Sequence, residues 1–254
     1  MYEYDFYDIV LDLQSLSNLK EGFQINYTEK GRQKLVEFKN KYFTGITAIG
    51  NSNQGKSFIL SKISEINIPL GHNINTHGLS IYFPDNYYSN KNYIILDTVG
   101  LQKVITIDDE KRKDIKKLKD IEKILIDKLK IQNFLQAFAM ESSHIVIAVV
   151  GQLTFQDQKF LNRIKEICKN KDLFIIHNLM FLKSKEEVEN YIKDTIEASL
   201  FFKLEKQSMI NFRKKKKIKI KIKKKRKKRK KKMKKWIIYL LRRWMMKKNI
   251  ILFI

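Results

Sequence analysis

The chain reads as a three-layer α/β domain, a mostly parallel central sheet flanked by helices. Three observations predict it. From about Phe43 to Lys206, short apolar runs alternate with amphipathic stretches, the pattern of strands joined by helical crossovers. The runs are apolar throughout rather than at every second residue, as strands covered on both faces must be. Hydrophobic residues make up 43% of the 254, enough for a core, and only Pro69 and Pro84 interrupt the sequence.

Taken in order, Gly22–Thr28 reads as a strand and Glu29–Asn40 as a helix, an addition at the edge of the domain. Phe43–Ile49 (FTGITAI) is a strand ended by Gly50, and Ser57–Ser64 the first turns of a helix. Asn67–Ser80, with Pro69, Gly71 and Gly78, reads as loop. Tyr93–Leu96 (YIIL) is a buried strand ending at Asp97. Asp109–Met140 predicts a long amphipathic helix or pair of helices, with Ile115, Leu118, Ile121, Leu125 and Leu129 at helical spacing. His144–Val150 is the most apolar strand. Thr154 with Asp157 three residues on then opens a helix that turns Phe160, Leu161, Ile164, Ile167 and Cys168 to one side. Asp172–Ile176 is a further buried strand. Ser184 and Glu187 form a capping box before a last helix with Val188, Ile192, Ile196 and Leu200 inward.

The net charge of +25 is unevenly placed. Of the 52 Lys and Arg, 23 lie between Arg213 and the C-terminus, where no Asp or Glu occurs; the 212 residues before it carry 29 basic against 27 acidic side chains. The globular part is thus close to neutral, and a global charge argument for nucleic-acid binding fails. The division expected is an N-terminal extension (1–40), a P-loop domain (41–206) and a Lys-rich tail (207–254).

Three readings of the tail stay open. It can be a nucleic-acid patch, since dense positive charge neutralises phosphates. It can be an anchor on an anionic membrane surface, lysines standing beside Trp236 and Trp244. Or it is a gene-model artefact, because Lys, Ile, Asn, Phe, Tyr and Leu can all be encoded by A and T alone. Such like-charge density predicts disorder or a lone helix. The single cysteine, Cys168, excludes an intramolecular disulfide framework and fits a reducing, cytoplasmic setting, with peripheral membrane attachment if the tail is an anchor. No basic-then-apolar leader opens the chain, and no uncharged apolar run reaches membrane-spanning length. The four histidines, His72, His77, His144 and His177, lack paired metal-ligand spacing.

Chemistry concentrates at three places. Gly50-Asn51-Ser52-Asn53-Gln54-Gly55-Lys56-Ser57, running into Phe58, fits G-x-x-x-x-G-K-S/T between an apolar strand and a helix. Backbone amides of such a loop curl around phosphate oxygens, and the helix N-terminus adds its positive dipole end. Lys56 would reach the outer phosphates and Ser57 would hold magnesium. Asp97-Thr98-Val99-Gly100 follows forty residues after Ser57. The Asp97 carboxylate at a strand end suits magnesium, and Gly100 can present its N–H to a γ-phosphate. Thr76, in the intervening loop, can add its hydroxyl to the metal. His177-Asn178, after DLFII, stands where a nucleotide base would be read; Leu179, Met180 and Phe181 bring no carboxylate for guanine.

The set GNSNQGKSFIL, NTHGLSIYF and YIILDTVGL resembles the large GTPases of the guanylate-binding and dynamin-like group over about Phe43–Leu200. The resemblance implies a Ras-like P-loop NTPase fold, GTP/GDP and Mg2+ as ligands, and dimerisation across the nucleotide. By that likeness Lys56, Thr76 and Gly100 serve catalysis, and Ser57, Thr76 and Asp97 the metal. The chain departs from it in having no arginine in the loop, no Arg-Asp pair at the base-reading position, and Leu101 where small GTPases orient water with glutamine. Loss of an arginine finger lowers rates by about 10³–10⁵. The expectation is therefore a slow magnesium-dependent GTPase acting as a conformational switch. The alternatives are a nucleotide-binding scaffold without useful turnover, and a membrane or nucleic-acid binder working through the tail.

Overall fold

The structure, a computed structural model, describes residues 7–13, 15–16, 24–64, 78–83, 93–101, 118–199 and 250–253. The chain divides into two compact units, residues 1–149 with 167–174, and residues 150–166 with 175–254.

The first unit is built from β1 (Ile9–Asp12), β2 (Gln24–Tyr27), α1 (Glu29–Phe38), β3 (Thr44–Ile49), α2 (Lys56–Ser64), β4 (Leu79–Tyr82), β5 (Tyr93–Thr98), α3 (Leu118–Ser142) and β6 (Ile145–Val150). Its strands lie in the order β2-β1-β4-β5-β3-β6, and β7 (Asp172–Asn178), whose first three residues belong to this unit, follows β6. The centre is parallel: Thr44 pairs with Tyr93 through Ala48 with Asp97, and Ile46 with Ile145 through Ile49 with Ala148. The edge is antiparallel, β1 pairing with both β2 and β4, and β4 with β5.

Strand alternation decides which helix covers which face. Ile94 and Leu96 of β5 share a core cluster with Phe38 of α1 and with Ile131, Leu135 and Ala139 of α3. The intervening Tyr93 sends its hydroxyl to the Ser64 carbonyl of α2, 3.3 Å away. Tyr93, Ile95 and Asp97 therefore face α2, and α1 and α3 cover the other side. Asp97 is on the helix α2 face because it is an even number of residues from Tyr93.

The added edge is tied down by a buried ion pair. Lys34 of α1 places its Nζ 3.2 Å from Asp8 Oδ2 and 2.6 Å from the Phe83 carbonyl, and the Phe83 N–H donates to the same Asp8 oxygen at 2.7 Å. Burial pushes the Asp8 carboxyl above its ordinary range, and the Phe83 amide and Lys34 pull it back only in part. Thr28 caps α1, its hydroxyl accepting from the Gly31 N–H.

In the second unit, Thr154 and Asp157 cap α4 (Phe155–Ile167) reciprocally. The Asp157 N–H donates to Thr154 Oγ1 at 3.1 Å, and Asp157 Oδ2 accepts the Thr154 hydroxyl at 2.7 Å. The predicted box at Ser184 and Glu187 opens α5 (Lys185–Tyr191), which continues into a π-helical stretch, Ile192–Glu197. Ile196 is buried. The end of β7 pairs antiparallel with β8 (Ile250–Phe253).

Four expectations change. Leu79–Ser80, read as loop, starts strand β4, and Ile9–Asp12, not read as an element, is strand β1. Leu125 and Leu129, on the apolar stripe that helical spacing predicts, are 45% and 52% exposed; the buried face of α3 is carried by Ile131, Leu135 and Ala139 nearer its C-terminus. Ile250–Phe253, in a tail expected to be disordered or helical, forms a strand, since β7 offers an edge to pair with. Ile115, Leu200 and the side chain of Leu118 lie outside the described residues, as does most of the tail.

Candidate phosphate-binding site

The loop between β3 and α2 is shaped by three residues with positive φ: Gly50 (146°), Asn53 (61°) and Gly55 (86°). A side chain at Gly50 would run into the Val149 carbonyl of β6, so that strand and loop approach as only glycine permits. Asn53 tolerates the left-handed region better than most residues, its short amide being suited to it.

The loop is stitched to the segment after β5. Asn51 and Leu101 form a parallel bridge, the Ser52 N–H donates to the Leu101 carbonyl at 2.7 Å, and the Leu101 N–H donates to the Gly50 carbonyl at 3.2 Å. Gly100 lies against this stitch: a Cβ there would meet Ser52 Cα and Lys56 Nζ, each at 2.5 Å. Val99 is held by its N–H to the Gly78 carbonyl at 3.3 Å.

Lys56 opens α2 and is 6% exposed. Its ammonium donates to the Asn51 carbonyl at 2.8 Å, folding the side chain back over the loop. Burial pushes its pKa below the ordinary lysine range, and the nearby Asp97 carboxylate pulls it up again. A buried ammonium at a helix N-terminus favours an anion. Next to it, the Ser57 hydroxyl donates to Asp97 Oδ2 at 2.7 Å. Phe58 faces away into a cation–π contact with Lys62 at 5.5 Å.

Magnesium is the ion such a loop implies, and the donor chemistry fits it. A hydroxyl and a carboxylate, both hard oxygen donors, already stand within hydrogen-bond reach of each other beside the lysine that would meet phosphate. Among the described residues no cluster of three or more His, Cys, Asp or Glu competes as a metal site.

The structure thus gathers Gly50, Asn51, Ser52, Gly55, Lys56, Ser57, Asp97 and Gly100 at one place in the first unit. Thr76 lies outside the described residues. His177 and Asn178 belong to the second unit. His177 is 3% exposed, its ring meeting Tyr191 edge-on at 6.3 Å, and burial holds its pKa down to about 4 against the Gly151 backbone and Asp157, which both raise it. Asn178 is half-buried and accepts the Met180 N–H at 3.3 Å.

Two residues at the site were not singled out in the sequence. Gln136 of α3, 3% exposed, donates to the Gly50 carbonyl at 3.4 Å. Its signal was legible: a glutamine on the stripe that buries Ile131, Leu135 and Ala139. Tyr7 donates its hydroxyl to Asp97 Oδ2 at 2.8 Å. No spacing in the sequence ties residue 7 to residue 97.

Fold and loop together are those of a P-loop α/β domain. No known family profile matches the chain. It is 24% identical over 216 residues, 76% of its own length and 30% of the other's, to a heat shock protein of Dictyostelium discoideum. It is 27% identical over 194 residues, 73% of its length and 39% of the other's, to GTPase Der of Buchnera aphidicola. The chain spans well under half the length of these curated relatives. Solved structures that resemble it include Era in complex with MgGDPNP and nucleotides 1506–1542 of 16S ribosomal RNA, at a TM-score of 0.41 and 16% identity, over 61% of this chain and 46% of that one. Another is an Aquifex aeolicus Era variant bound to GDP·AlF4−, at 0.41 and 17%, over 62% and 47%.

Proposed function

We propose that this chain binds GTP and GDP with magnesium and acts as a slow GTPase switch. One observation carries the reading: a buried Lys56 and a Ser57–Asp97 contact of 2.7 Å, set at a strand–loop–helix junction. Loop amides and Lys56 would hold the phosphate oxygens and stabilise charge on the transferred group. Ser57 and Asp97, with Thr76 by its sequence position, would hold magnesium, which supplies neutralising charge when bound. Gly100 would offer its N–H to the γ-phosphate. The likeness to GTPase Der supports guanine as the base; Asn178 is its reader by sequence position alone. The guanylate-binding and dynamin-like likeness adds dimerisation across the nucleotide.

The test is displacement of a labelled GTP analogue. GTP should compete far better than ATP, and Lys56→Ala should weaken triphosphate binding by about 10–100-fold, as loss of a charged hydrogen bond does. Equal competition by ATP rejects guanine, and unchanged affinity in the Lys56 variant rejects the site.

A second reading, binding without turnover, is favoured by Asn51, Ser52, Asn53 and Gln54 in the loop, none an arginine, and by Leu101 after Gly100. Single-turnover hydrolysis separates the two. A rate that rises with protein concentration marks activation by a second copy, and no phosphate release at any concentration leaves the scaffold.

A further inference from the structure

Tyr7 precedes strand β1, in the antiparallel part of the sheet, yet its hydroxyl reaches Asp97 at the site. We propose that Tyr7 is a positioning residue that fixes Asp97 for magnesium and so makes metal affinity depend on the N-terminal edge. The inference rests on the nucleotide reading above and deepens it.

The geometry is specific. Tyr7 is 6% exposed, and its hydroxyl donates to Asp97 Oδ2 at 2.8 Å. The same oxygen accepts the Ser57 hydroxyl at 2.7 Å. An ionised carboxylate only accepts, so both hydroxyls must point their protons at it. A Ser57 oxygen engaged with a metal turns its proton elsewhere. The Tyr7 bond would still hold the Asp97 carboxylate in its rotamer. Partners of this kind orient a metal's ligands and raise its affinity.

Tyr7 is also pre-placed. The next residue, Asp8, is anchored by its N–H to the Ile81 carbonyl at 3.0 Å, by its carbonyl to the Thr28 N–H at 3.1 Å, and by its carboxylate to Lys34 and the Phe83 amide. Little freedom remains for the tyrosine backbone, so ordering the contact costs little entropy. A purely structural tyrosine would stabilise the fold without touching metal dependence.

The experiment follows retention of a fluorescent GTP analogue by the full chain across a magnesium titration and in EDTA. Tyr7→Phe, which removes only the hydroxyl, should raise the magnesium concentration for half-maximal retention by about 10–100-fold, with binding in EDTA unaltered. Tyr93→Phe, which removes a buried hydroxyl on the same sheet face that donates to the Ser64 carbonyl at the end of α2, should leave the magnesium requirement as it is. An unshifted requirement in Tyr7→Phe overturns the proposal while the nucleotide reading stands. No retention by the unaltered protein at any magnesium concentration overturns that reading, and the role of Tyr7 with it.

Discussion

Gly100 packs so closely on the loop that a methyl group there would overlap Ser52 backbone as well as the Lys56 ammonium. The lysine end can swing away, but the Ser52 Cα cannot move without opening the Asn51–Leu101 bridge. Gly100→Ala should therefore cost about 1–3 kcal/mol, lower the thermal midpoint by several degrees, and abolish nucleotide retention at temperatures where the protein is still folded. Intact retention in a folded Gly100→Ala protein would show that the stitch is dispensable. His177 gives a second prediction at this scale. Its folded pKa of about 4 lies below the ordinary 6.5, so the unfolded chain takes up the proton first as pH falls. The stability that the neutral ring allows is complete above about pH 6.5. It should drain away between there and pH 4, by about 3 kcal/mol in all. Thermal midpoints from pH 7 to 4 should fall more steeply for the native protein than for His177→Gln.

At the scale of elements, the two caps of the second unit are separable. Thr154→Ala removes the hydroxyl that receives the Asp157 N–H and donates to its carboxylate, and should destabilise α4 by about 1 kcal/mol. Ser184→Ala should do less, because its box is exposed and the α5 it opens buries none of its residues. Urea midpoints of the two variants compare them directly. Both caps were legible, since a hydroxyl, a three-residue gap and an acid form a local code that folding does not rewrite. The strands β3, β5 and β6 were legible for a related reason: residues buried on both faces leave no choice of pattern. What escaped depends on partners distant in sequence. Strand β4 hides in a loop-like context because Leu79–Tyr82 becomes a strand only between β1 and β5. The buried face of α3 lies nearer its C-terminus than the spacing alone tells, because periodicity says which residues align, not which of them meet a neighbour. The core of the phosphate site was readable as a motif; Tyr7 and Gln136, which brace it, were not read from it.

For the whole molecule, the central pairings join segments far apart in the chain. Ile46 meets Tyr93's strand some fifty residues on, and then Ile145, 99 residues on. Such separations slow folding, because long loops close before any contact rewards them. The phosphate loop also needs β6 behind it, since Gly50 leans on the Val149 carbonyl. A chain still emerging from the ribosome therefore carries its nucleotide signature for about a hundred residues before that signature can work. Truncated products that stop short of Ile145 should expose apolar strands and precipitate, whatever nucleotide is supplied. In refolding from denaturant, recovery of nucleotide retention should lag the return of helical signal.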